Sequence, residues 1–264
     1  MIIAEIGWNF LGDLKLAKKM ILAAKKSGSS LIKFQLWDPK DLKPGPWDHD
    51  GRRTIYEKSY LSEKKFKILY NFGKKNKVRI FASVFNLKSL KILKKIDKNY
   101  IKIPSSEAYN HMLIKEALKN FKNVFVSTGA LSIKELKSLH IYNKNKKFIP
   151  LHCVSSYPLK LSNANFEKFF MLQKKFKKVG YSGHYQGIDD AIFAISQNAS
   201  VVEKHFTINN NLAGRDNKFA LLPNDLKFLN QYFLNHKKML KKNIKGVLNC
   251  ERDVVRSYRG RWGT

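Results

Sequence analysis

The amino-acid sequence predicts an α/β protein with the (β/α)8 fold, a TIM barrel, and three observations support this prediction. Eight short runs with strand character alternate with segments of helical periodicity along the whole chain. The strand-like runs are apolar almost throughout, as is typical of parallel strands that are covered by helices. The chain has 264 residues, a length that fits one barrel of this kind.

An open, doubly wound sheet is the alternative for a chain in which strands and helices alternate. Such a sheet would be expected to carry a glycine-rich phosphate loop after its first strand, and the segment after Ile6 has no such loop. Eight repeated units therefore favour closure into a barrel over an open sheet.

The predicted elements follow one another in the order expected of a barrel. Each strand combines β-branched or aromatic residues with an abrupt polar end, and the strands are predicted to end near Ile6, Gln35, Ser83, Ser105, Thr128, Val154, His184 and Thr207. Each helix is predicted where apolar residues recur at three- and four-residue spacing, and the helices are Leu14–Ser27, Ser62–Lys75, Leu87–Ile96, Asn110–Lys119, Ile133–Leu139, Phe166–Phe176, Ile188–Gln197 and Asp225–Leu240.

Two connections are long, the segments Trp37–Leu61 and Ile208–Pro223, and each follows a predicted strand. Long segments without regular structure in a compact domain are usually lids or binding loops. Because both segments leave the carboxyl ends of strands, we expect them on the face where barrel enzymes hold their active sites.

The composition is strongly basic, with 51 Lys and Arg against 20 Asp and Glu and a formal net charge of +31. The lysines are spread along predicted helix faces and do not form an arginine-rich arm. We therefore interpret them as solvated faces and expect no specific nucleic acid partner. The positive field would still help to collect an anionic substrate.

Three features indicate a cytoplasmic protein without a membrane partner. No apolar run approaches the roughly 18 residues that a membrane span requires. The N-terminal segment MIIAEIGWN is predicted to be a first strand and not a signal peptide, since it has no basic start. The two cysteines, Cys153 and Cys250, provide no disulfide framework and no metal-ligand spacing.

Two histidines close consecutive predicted strands. His184 ends the run KVGYSGH (178–184), and His205 lies near the end of SVVEKHFT (200–207), with a predicted helix between the runs. A parallel βαβ unit places the carboxyl ends of its strands side by side, so the two imidazoles would meet and could hold a divalent metal. A histidine at a strand end can equally be a hydrogen-bonded structural residue, and the residues alone leave both interpretations open.

Two lysines lie inside apolar strands, Lys33 in LIKFQ and Lys102 in YIKIPS. Burying an ammonium group is costly unless an anion or a partner offsets the cost, so these lysines indicate an anionic ligand. Hydroxyl groups at other strand ends would suit a phosphate and a carboxylate together, although each could also be a simple turn residue. These hydroxyls belong to Ser83, Ser105, Ser127 and Ser182.

Eight short motifs occur in order along nearly the whole chain. They are IAEIGWN (3–9), IKFQ (32–35), YIKIPSSE (100–107), VSTGA (126–130), LHCVSSYP (151–158), VGYSGH (179–184), EKHFT (203–207) and GRD (214–216). On these motifs the chain resembles the N-acetylneuraminate (sialic acid) synthase family, whose members condense phosphoenolpyruvate with an amino sugar to form nine-carbon nonulosonic acids. The resemblance implies a barrel enzyme, a transferase of sialic acid biosynthesis.

The resemblance also implies the composition of the site. A divalent metal, usually Mn²⁺ with Mg²⁺ or Co²⁺ as alternatives, would be held by His184 and His205. Phosphoenolpyruvate would be surrounded by Lys33, Ser83, Lys102, Ser105, Ser127, Ser155 and Ser182. The sugar or the metal-bound oxygen would be faced by Glu5, Gln35, Glu107, Tyr157 and Asp216.

The resemblance further implies a reaction. In this family the metal polarises the aldehyde of the open-chain sugar, C3 of phosphoenolpyruvate attacks it, water adds at C2, and phosphate leaves by C–O cleavage. Lys102 and Glu5 are expected to take part in catalysis, and Glu107 is expected to transfer a proton at the sugar end. A homodimer is expected as well.

The chain departs from the family pattern at several positions. Gly183 stands where the family usually has Asp before the first metal histidine, Phe10 where it often has His, and Ser155 where it often has Asn. The family's C-terminal antifreeze-like domain, whose arginine reaches the sugar site of the partner subunit, is expected to be absent. We expect a barrel domain at 1–245 and a tail at 246–264 in the position of the family's linker.

Other arginines could supply the acceptor contact that this domain makes. Arg52 and Arg53 in the first long loop are candidates, with Arg53 assigned to substrate binding, and the terminal Arg256, Arg259 and Arg261 are the alternative. All of them could also be solvated.

The sequence therefore leads to one main functional hypothesis and two alternatives. The main hypothesis is a metal-dependent synthase that condenses phosphoenolpyruvate with an amino-sugar aldehyde similar to N-acetylmannosamine and releases phosphate. The first alternative is the same condensation with a different aldose acceptor. The second is a barrel without catalysis that acts as a binding or assembly subunit. The identity of the acceptor stays open.

Overall fold

A closed barrel of eight parallel strands, with helices between the strands, forms the core of the protein. The structure is a computed structural model that describes residues 1–29, 31–240 and 246–263. The prediction of a (β/α)8 barrel is confirmed. In chain order the elements are β1 (Ile2–Glu5), α1 (Leu14–Lys26), β2 (Leu31–Leu36), α2 (Arg52–Ser59), α3 (Glu63–Lys75), β3 (Arg79–Val84), α4 (Leu87–Ile96), β4 (Tyr100–Ile103), α5 (His111–Asn120), β5 (Asn123–Ser127), α6 (Ile133–Ser138), β6 (Phe148–Cys153), α7 (Glu167–Gln173), β7 (Gly180–Gly183), α8 (Asp189–Ser196), β8 (Val202–His205), α9 (Pro223–Met239) and α10 (Arg252–Ser257).

The register of the strands brings polar residues to one level at the carboxyl end of the barrel. The strands pair in sequence order, and β8 pairs with β1 to close the ring. Glu5 at the end of β1 is opposite Lys33 on β2 and opposite His205 on β8. Ser83 on β3 is likewise opposite Lys102 on β4. The sequence positions of these residues therefore translate into proximity across the mouth.

Apolar side chains fill the barrel below this polar level. A buried cluster inside the ring contains residues from five strands and from the segment before β8, and Tyr100 packs against it. Side chains alternate along a strand, so the residue two positions beyond an inward apolar residue also points inward. Leu31 and Lys33 on β2 follow this rule, as do Ile3 and Glu5 on β1. The members of the cluster are Ile3, Leu31, Phe81, Phe125, Ile149, Leu151 and Val201.

Side chains at the helix N-termini and apolar stripes hold the helices against the outside of the barrel. Asp13 accepts hydrogen bonds from the N–H groups of Lys15 and Leu16 at the start of α1. Ser62 does the same for Lys65 in α3. Such caps satisfy N–H groups that have no partner within the helix. The inward stripe of α1 is formed by Ala17, Met20, Ile21 and Ala24, all of them buried.

Helix α2 is the main difference from the predicted elements. It lies within Trp37–Leu61, which the sequence predicts to be a long loop, and this part of the prediction is wrong. The sequence RRTIYEKS has no apolar stripe to reveal a helix. Its start is built locally: Gly51 has a φ of 84°, in the left-handed region that favours glycine, and Asp50 accepts from the backbone N–H of Arg52.

The C-terminal region adds little to the barrel. The predicted domain boundary at residue 245 lies outside the described residues. Between residues 246 and 263 the chain forms a short 3-10 turn, Asn249–Glu251, and then α10, which has no buried residue. None of the helices in the described ranges has both the length and the apolarity needed to cross a membrane.

Candidate active site

A cavity of about 460 Å³ opens at the carboxyl ends of the strands. Thirteen of the fifteen residues that the sequence assigns to the site line this cavity. A second groove, of about 560 Å³, lies between α4 and α5 on the outside, and it contains none of the strand-end residues. The thirteen lining residues are Glu5, Lys33, Gln35, Ser83, Lys102, Ser105, Ser127, Ser155, Tyr157, Ser182, His184, His205 and Asp216.

The carboxylate of Glu203 holds both buried lysines at the base of the cavity. Its Oε1 atom accepts from Lys33 Nζ at 2.9 Å and from Lys102 Nζ at 2.7 Å. The Ser182 hydroxyl donates to the same oxygen at 3.0 Å. Glu203 is 5% exposed and lines the cavity, although the sequence does not single it out as a site residue. Its signal is its inward position on β8, two residues before His205.

The charges of this cluster, defined as Lys33, Lys102 and Glu203, stabilise one another. Burial alone would raise the pKa of Glu203, but the ammonium groups of Lys102 and Lys33 hold it well below its usual value. Burial would lower the pKa of Lys33, yet Glu203 and Glu5 raise it. Burial lowers the pKa of Lys102. The cluster therefore holds one carboxylate between two amino groups that face the cavity.

Glu5 is the second carboxyl group of the cavity, and its environment differs from that of Glu203. It accepts a hydrogen bond from Gln35 Nε2 at 3.0 Å, and its Oε2 atom lies 3.4 Å from Lys33 Nζ. Burial raises the pKa of Glu5 to about 7, although Lys33 opposes this shift. A carboxyl group with this pKa can accept or donate a proton near neutral pH.

The two histidines lie side by side, as the βαβ pattern predicts. Their ring centroids are 5.5 Å apart, and both rings line the cavity. His184 Nδ1 is 2.9 Å from the Val154 carbonyl oxygen. A carbonyl can only accept, so Nδ1 carries a proton. Burial would lower the pKa of His184, yet Cys153 and the Val154 carbonyl raise it, so Nε2 offers a lone pair only while the ring is neutral. Burial, followed by the neighbouring His184, lowers the pKa of His205 well below its usual value, which favours a neutral imidazole.

These observations fit a divalent metal with an open coordination sphere. A neutral imidazole whose other nitrogen donates to a carbonyl is the usual form of a histidine ligand. His205 Nδ1 is buried without a hydrogen bond, 3.7 Å from Asp216 Oδ2. Within the described ranges, no group of three or more His, Cys, Asp or Glu residues is placed to hold a metal. The chain would therefore supply two imidazoles and leave other positions to substrate or water.

Two of the departures from the family pattern, Gly183 and Phe10, have structural explanations. A Cβ atom at position 183 would collide with the carboxylate of Asp190 and the ring of Tyr181. That carboxylate is buried and pairs with Lys204 Nζ at 2.9 Å, while the Tyr181 hydroxyl donates to it at 2.9 Å. Phe10 is buried in the outer core, where its ring packs edge-on against Phe34.

Glu107 is one of two predicted site residues that do not line the cavity. It lies in a 3-10 turn, Ser105–Glu107, directly after the β4 strand and Pro104. Its Oε2 atom accepts from Asn110 Nδ2 at 3.2 Å, and partial burial raises its pKa. Ser105 and Ser106 of the same turn do line the cavity. The turn therefore points its last side chain towards α5.

Arg53 is the second predicted site residue that does not line the cavity. Its neighbour Arg52 lines the cavity instead. The guanidinium of Arg53 binds Asp48 at 2.6 Å and Glu57 at 3.0 Å, and its side chain is 48% exposed. The terminal arginines that the sequence offers as alternatives are exposed and are not among the lining residues: Arg256, Arg259 and Arg261.

The rim of the cavity contains side chains that the sequence does not single out. Trp8 follows β1, and its ring centroid is 4.7 Å from that of Tyr56 on α2. Arg215 follows β8, and its Cζ atom is 5.9 Å from the centroid of the Tyr157 ring. The Tyr157 ring in turn packs 4.1 Å from the His184 ring. These residues follow different strands of the barrel, so no local sequence spacing reveals the rim.

A closed (β/α)8 barrel whose carboxyl mouth combines paired lysines, hydroxyls and two imidazoles defines a class, the barrel enzymes that act on anionic substrates. The sequence profile of the NeuB family matches residues 20–245, and the chain belongs to this family. The resemblance to N-acetylneuraminate synthases is thereby confirmed, as is the prediction of an enzyme that makes a sugar acid.

Several named proteins align with most of this chain. It is 32% identical to N,N'-diacetyllegionaminic acid synthase of Campylobacter jejuni, over 98% of this chain and 83% of that protein. It is 30% identical to N-acetylneuraminate-9-phosphate synthase of Homo sapiens, over 95% of this chain and 74% of that protein. The crystal structure of an N-acetylneuraminic acid synthetase from Leptospira borgpetersenii in complex with citrate superposes with a TM-score of 0.85 at 30% identity, covering 98% of this chain and 92% of that chain.

Proposed function

We propose that this protein condenses phosphoenolpyruvate with an amino-sugar aldehyde to form a nonulosonic acid and phosphate. One observation carries the proposal: two lysines with hydroxyl groups and two imidazoles line the same cavity. The lysines suit a donor with a phosphate and a carboxylate, and the imidazoles suit a metal at the carbonyl of the acceptor. The named relatives are synthases of sugars of this class, which supports the same reaction type.

The donor would bind at the base of the cavity, over Lys33 and Lys102. Both ammonium groups face the cavity, where phosphate and carboxylate oxygens can accept from them. Ser127 supports this location, because its buried hydroxyl makes no hydrogen bond within the described part of the chain. Ser105 already accepts from the backbone N–H of Gly129 at 3.1 Å, so its hydroxyl proton can be donated to a ligand.

We infer that a divalent metal binds between His184 and His205, with Mn²⁺ as the first choice and Mg²⁺ or Co²⁺ as alternatives. When bound, such an ion supplies a Lewis acid for the aldehyde oxygen of the acceptor. The Val154 carbonyl fixes the tautomer of His184, and the burial of His205 keeps its ring neutral. The neutral ring of His205 is ready for coordination, whereas the raised pKa of His184 means that a metal binding there would displace a proton from the charged ring.

The chemical steps need proton transfers that Glu5 can perform. C3 of the donor bonds to the aldehyde carbon, a water oxygen bonds to C2, and the bond between C2 and the phosphate oxygen breaks. The water oxygen becomes the keto oxygen and loses both protons, one to the new alkoxide of the sugar and one to the departing phosphate. Glu5, with a pKa of about 7, is placed between Gln35 and Lys33 to carry such a proton. Lys102 would neutralise charge on the leaving phosphate.

The acceptor would lie between the imidazoles and the rim, against Tyr157, Gln35 and Asp216. Burial raises the pKa of Asp216 to about 6, so its carboxyl can donate or accept a hydrogen bond with a sugar hydroxyl. The named relatives make different sugars, and a different aldose is the alternative acceptor. The homodimer and the cytoplasmic location expected from the sequence stay predictions.

The test is release of phosphate from phosphoenolpyruvate in the presence of Mn²⁺ and a panel of 2-acetamido hexoses. We expect phosphate and a new 2-keto acid in equal amounts with at least one acceptor. The variant His205→Ala should lose Mn²⁺ binding, measured by calorimetry, together with turnover. His236→Ala, which changes a histidine on α9 outside the cavity lining, is the matched control and should keep both. If the folded protein with bound Mn²⁺ releases no phosphate with any of the acceptors, the proposal is contradicted.

A further inference from the structure

Two arginines line the cavity beyond the strand ends, whereas the two lysines lie within the strands. Arg52 begins α2, which lies in the connection after β2, and Arg215 lies in the connection after β8. The strands β8 and β2 are the two neighbours of β1 in the closed ring, so these connections flank the same strand. The two guanidinium groups therefore belong to one side of the mouth.

The contacts of the Tyr157 ring indicate where these arginines lie relative to the aldehyde end of the acceptor. The Tyr157 ring neighbours both groups: its centroid is 5.9 Å from Arg215 Cζ and 4.1 Å from the centroid of the His184 ring. An aldehyde placed at the two histidines would thus be separated from Arg215 by the width of one aromatic side chain. The rest of an open-chain sugar can span this distance, and its far end would reach the rim.

Of the two rim arginines, only Arg52 has a counter-charge within the described ranges, and that counter-charge is exposed. Arg215 forms no ion pair and no hydrogen bond with any residue of the described ranges. Arg52 donates to Asp50 at 2.7 Å, and the Asp50 side chain is 42% exposed. The hydrogen bond from Arg52 and, less strongly, the charge of Arg215 both lower the pKa of Asp50. An exposed pair of this kind is weak, so an incoming anion can compete for both guanidinium groups.

We propose, on the basis of the function proposed above, that the acceptor carries an anionic group at the end remote from its aldehyde, and that Arg52 and Arg215 bind this group. Guanidinium groups donate in a fixed fork that matches phosphate and carboxylate oxygens. Tyr56 and Trp8 at the same rim provide an apolar wall for the carbon chain between the two ends. The substrate class is therefore an amino-sugar phosphate or an amino-sugar acid, not a neutral amino sugar.

The experiment compares three acceptors with each variant: 2-acetamido-2-deoxymannose, its 6-phosphate and the corresponding uronic acid. The wild type should show the highest kcat/KM with an anionic acceptor, and the two anionic acceptors distinguish phosphate from carboxylate. Arg215→Ala and Arg52→Ala should each raise the KM of that acceptor by about 10- to 100-fold, the usual value of a hydrogen bond to a charged group. They should change the KM of the neutral sugar by less than about twofold, because the neutral sugar has no charge to lose.

Arg79→Ala is the matched control, since it removes one positive charge at the start of β3, at the opposite end of the barrel. This variant should leave the preference for an anionic over a neutral acceptor unchanged. The inference would be overturned if the wild type had an equal or higher kcat/KM with the neutral sugar than with the anionic acceptors. It would also be overturned if Arg215→Ala raised the KM of all three acceptors by the same factor.

Calorimetry separates this inference from the proposed function. The 6-phosphate should bind to the wild type in the presence of phosphoenolpyruvate and should bind much more weakly to the double variant Arg52→Ala, Arg215→Ala. Such binding without turnover of any acceptor would reject the proposed reaction and retain the anion site. If the wild type turns over an acceptor but the double variant binds the 6-phosphate as tightly as the wild type does, the proposed reaction is retained and the anion site is rejected.

Discussion

At the scale of single residues, the Oε1 atom of Glu203 determines how the cavity responds to anions. This oxygen accepts from Lys33, Lys102 and Ser182, the same donors that a phosphate or carboxylate would use. Without Glu203 the two ammonium groups would repel each other in a buried site. With it, an anionic ligand must share donors with a fixed negative charge. Glu203 thus stabilises the empty cavity and limits how tightly it binds anions.

We predict that Glu203→Gln binds inorganic phosphate about tenfold more tightly or better, because it keeps an oxygen acceptor but loses a negative charge beside the ligand. The same variant should lose on the order of 3 kcal/mol of unfolding free energy when no anion is present, since its lysines lose their counter-charge. Calorimetry with phosphate and denaturant unfolding with and without phosphate measure the two effects.

Asp190→Asn provides the matched control for this prediction. Asp190 pairs with Lys204 in an equally buried site, but neither residue lines the cavity. We expect the control to lose stability without a change in phosphate affinity. If both variants respond to phosphate in the same way, Glu203 has no special part in anion binding.

Glu5 gives the protein a pH dependence whose sign can be worked out. Its pKa is raised by burial from an ordinary value of 4.5 to about 7 in the folded protein. Between these two values the folded state binds more protons than the unfolded state, so stability falls as the pH rises through this window. The full effect, on the order of 3 kcal/mol, is reached above pH 7.

We predict that Glu5→Gln, which resembles the protonated carboxyl, removes this dependence. The difference in unfolding free energy between variant and wild type should favour the variant increasingly from about pH 4.5 to about pH 7 and then level off. Denaturant unfolding of both proteins at a series of pH values measures it, and Asp216 does not interfere because it is present in both. A difference that does not vary with pH would contradict the raised pKa.

At the scale of elements, the packing of β7 against α8 explains why this chain has glycine directly before His184. The Asp190 carboxylate from α8 occupies the space beside Gly183 and pairs with Lys204 on β8. An aspartate at position 183 would compete for this space. We infer that Asp190 supplies from the helix the counter-charge that the strand could otherwise provide.

We predict that Gly183→Asp alone loses about 1 to 3 kcal/mol of unfolding free energy through overpacking. Asp190→Ala alone should lose about 3 to 5 kcal/mol, because it leaves Lys204 buried without a counter-charge. The double variant should recover about 1 to 3 kcal/mol relative to the sum of the two, since the new carboxylate has both the space and the partner. Denaturant unfolding of the four proteins in a double-mutant cycle measures the coupling, and additive losses would contradict the exchange.

The elements also indicate how far the sequence can predict the structure. All eight strands and the eight predicted helices are present, because apolar periodicity reports directly which side of an element faces the core. Helix α2 was not predicted because an exposed helix without an apolar stripe has no such pattern. Only the folded chain reveals it, through the left-handed turn at Gly51 and the hydrogen bond from the backbone N–H of Arg52 to Asp50.

The same reasoning applies to the site. Thirteen of the fifteen predicted residues line the cavity, because strand alternation and parallel pairing fix where a strand residue points. Glu107 and Arg53 do not, and both lie in turns or helices beyond a strand end. There the direction of a side chain changes by about 100° from one residue to the next, so Arg52 lines the cavity and Arg53 does not.

At the scale of the whole molecule, the net charge of +31 surrounds a cavity whose own buried charges are nearly balanced. The lysines on the helices are exposed and are screened by salt, whereas the buried cluster is not. The exposed lysines and the buried cluster should therefore contribute to different kinetic constants. The surface field attracts anions from a distance, and the cluster binds them once they arrive.

We predict that kcat/KM for phosphoenolpyruvate falls by about tenfold or more as ionic strength rises from low to above physiological values, while kcat stays within about twofold. The reason is that screening removes the long-range attraction of the surface lysines but leaves the contacts of Lys33 and Lys102 intact. Steady-state kinetics in a series of potassium chloride concentrations measure both constants, and the KM of a neutral acceptor in the same series is the internal control. A parallel fall of kcat, or an equal response of the neutral acceptor, would show that salt acts on the folded cavity and not on the approach of the donor.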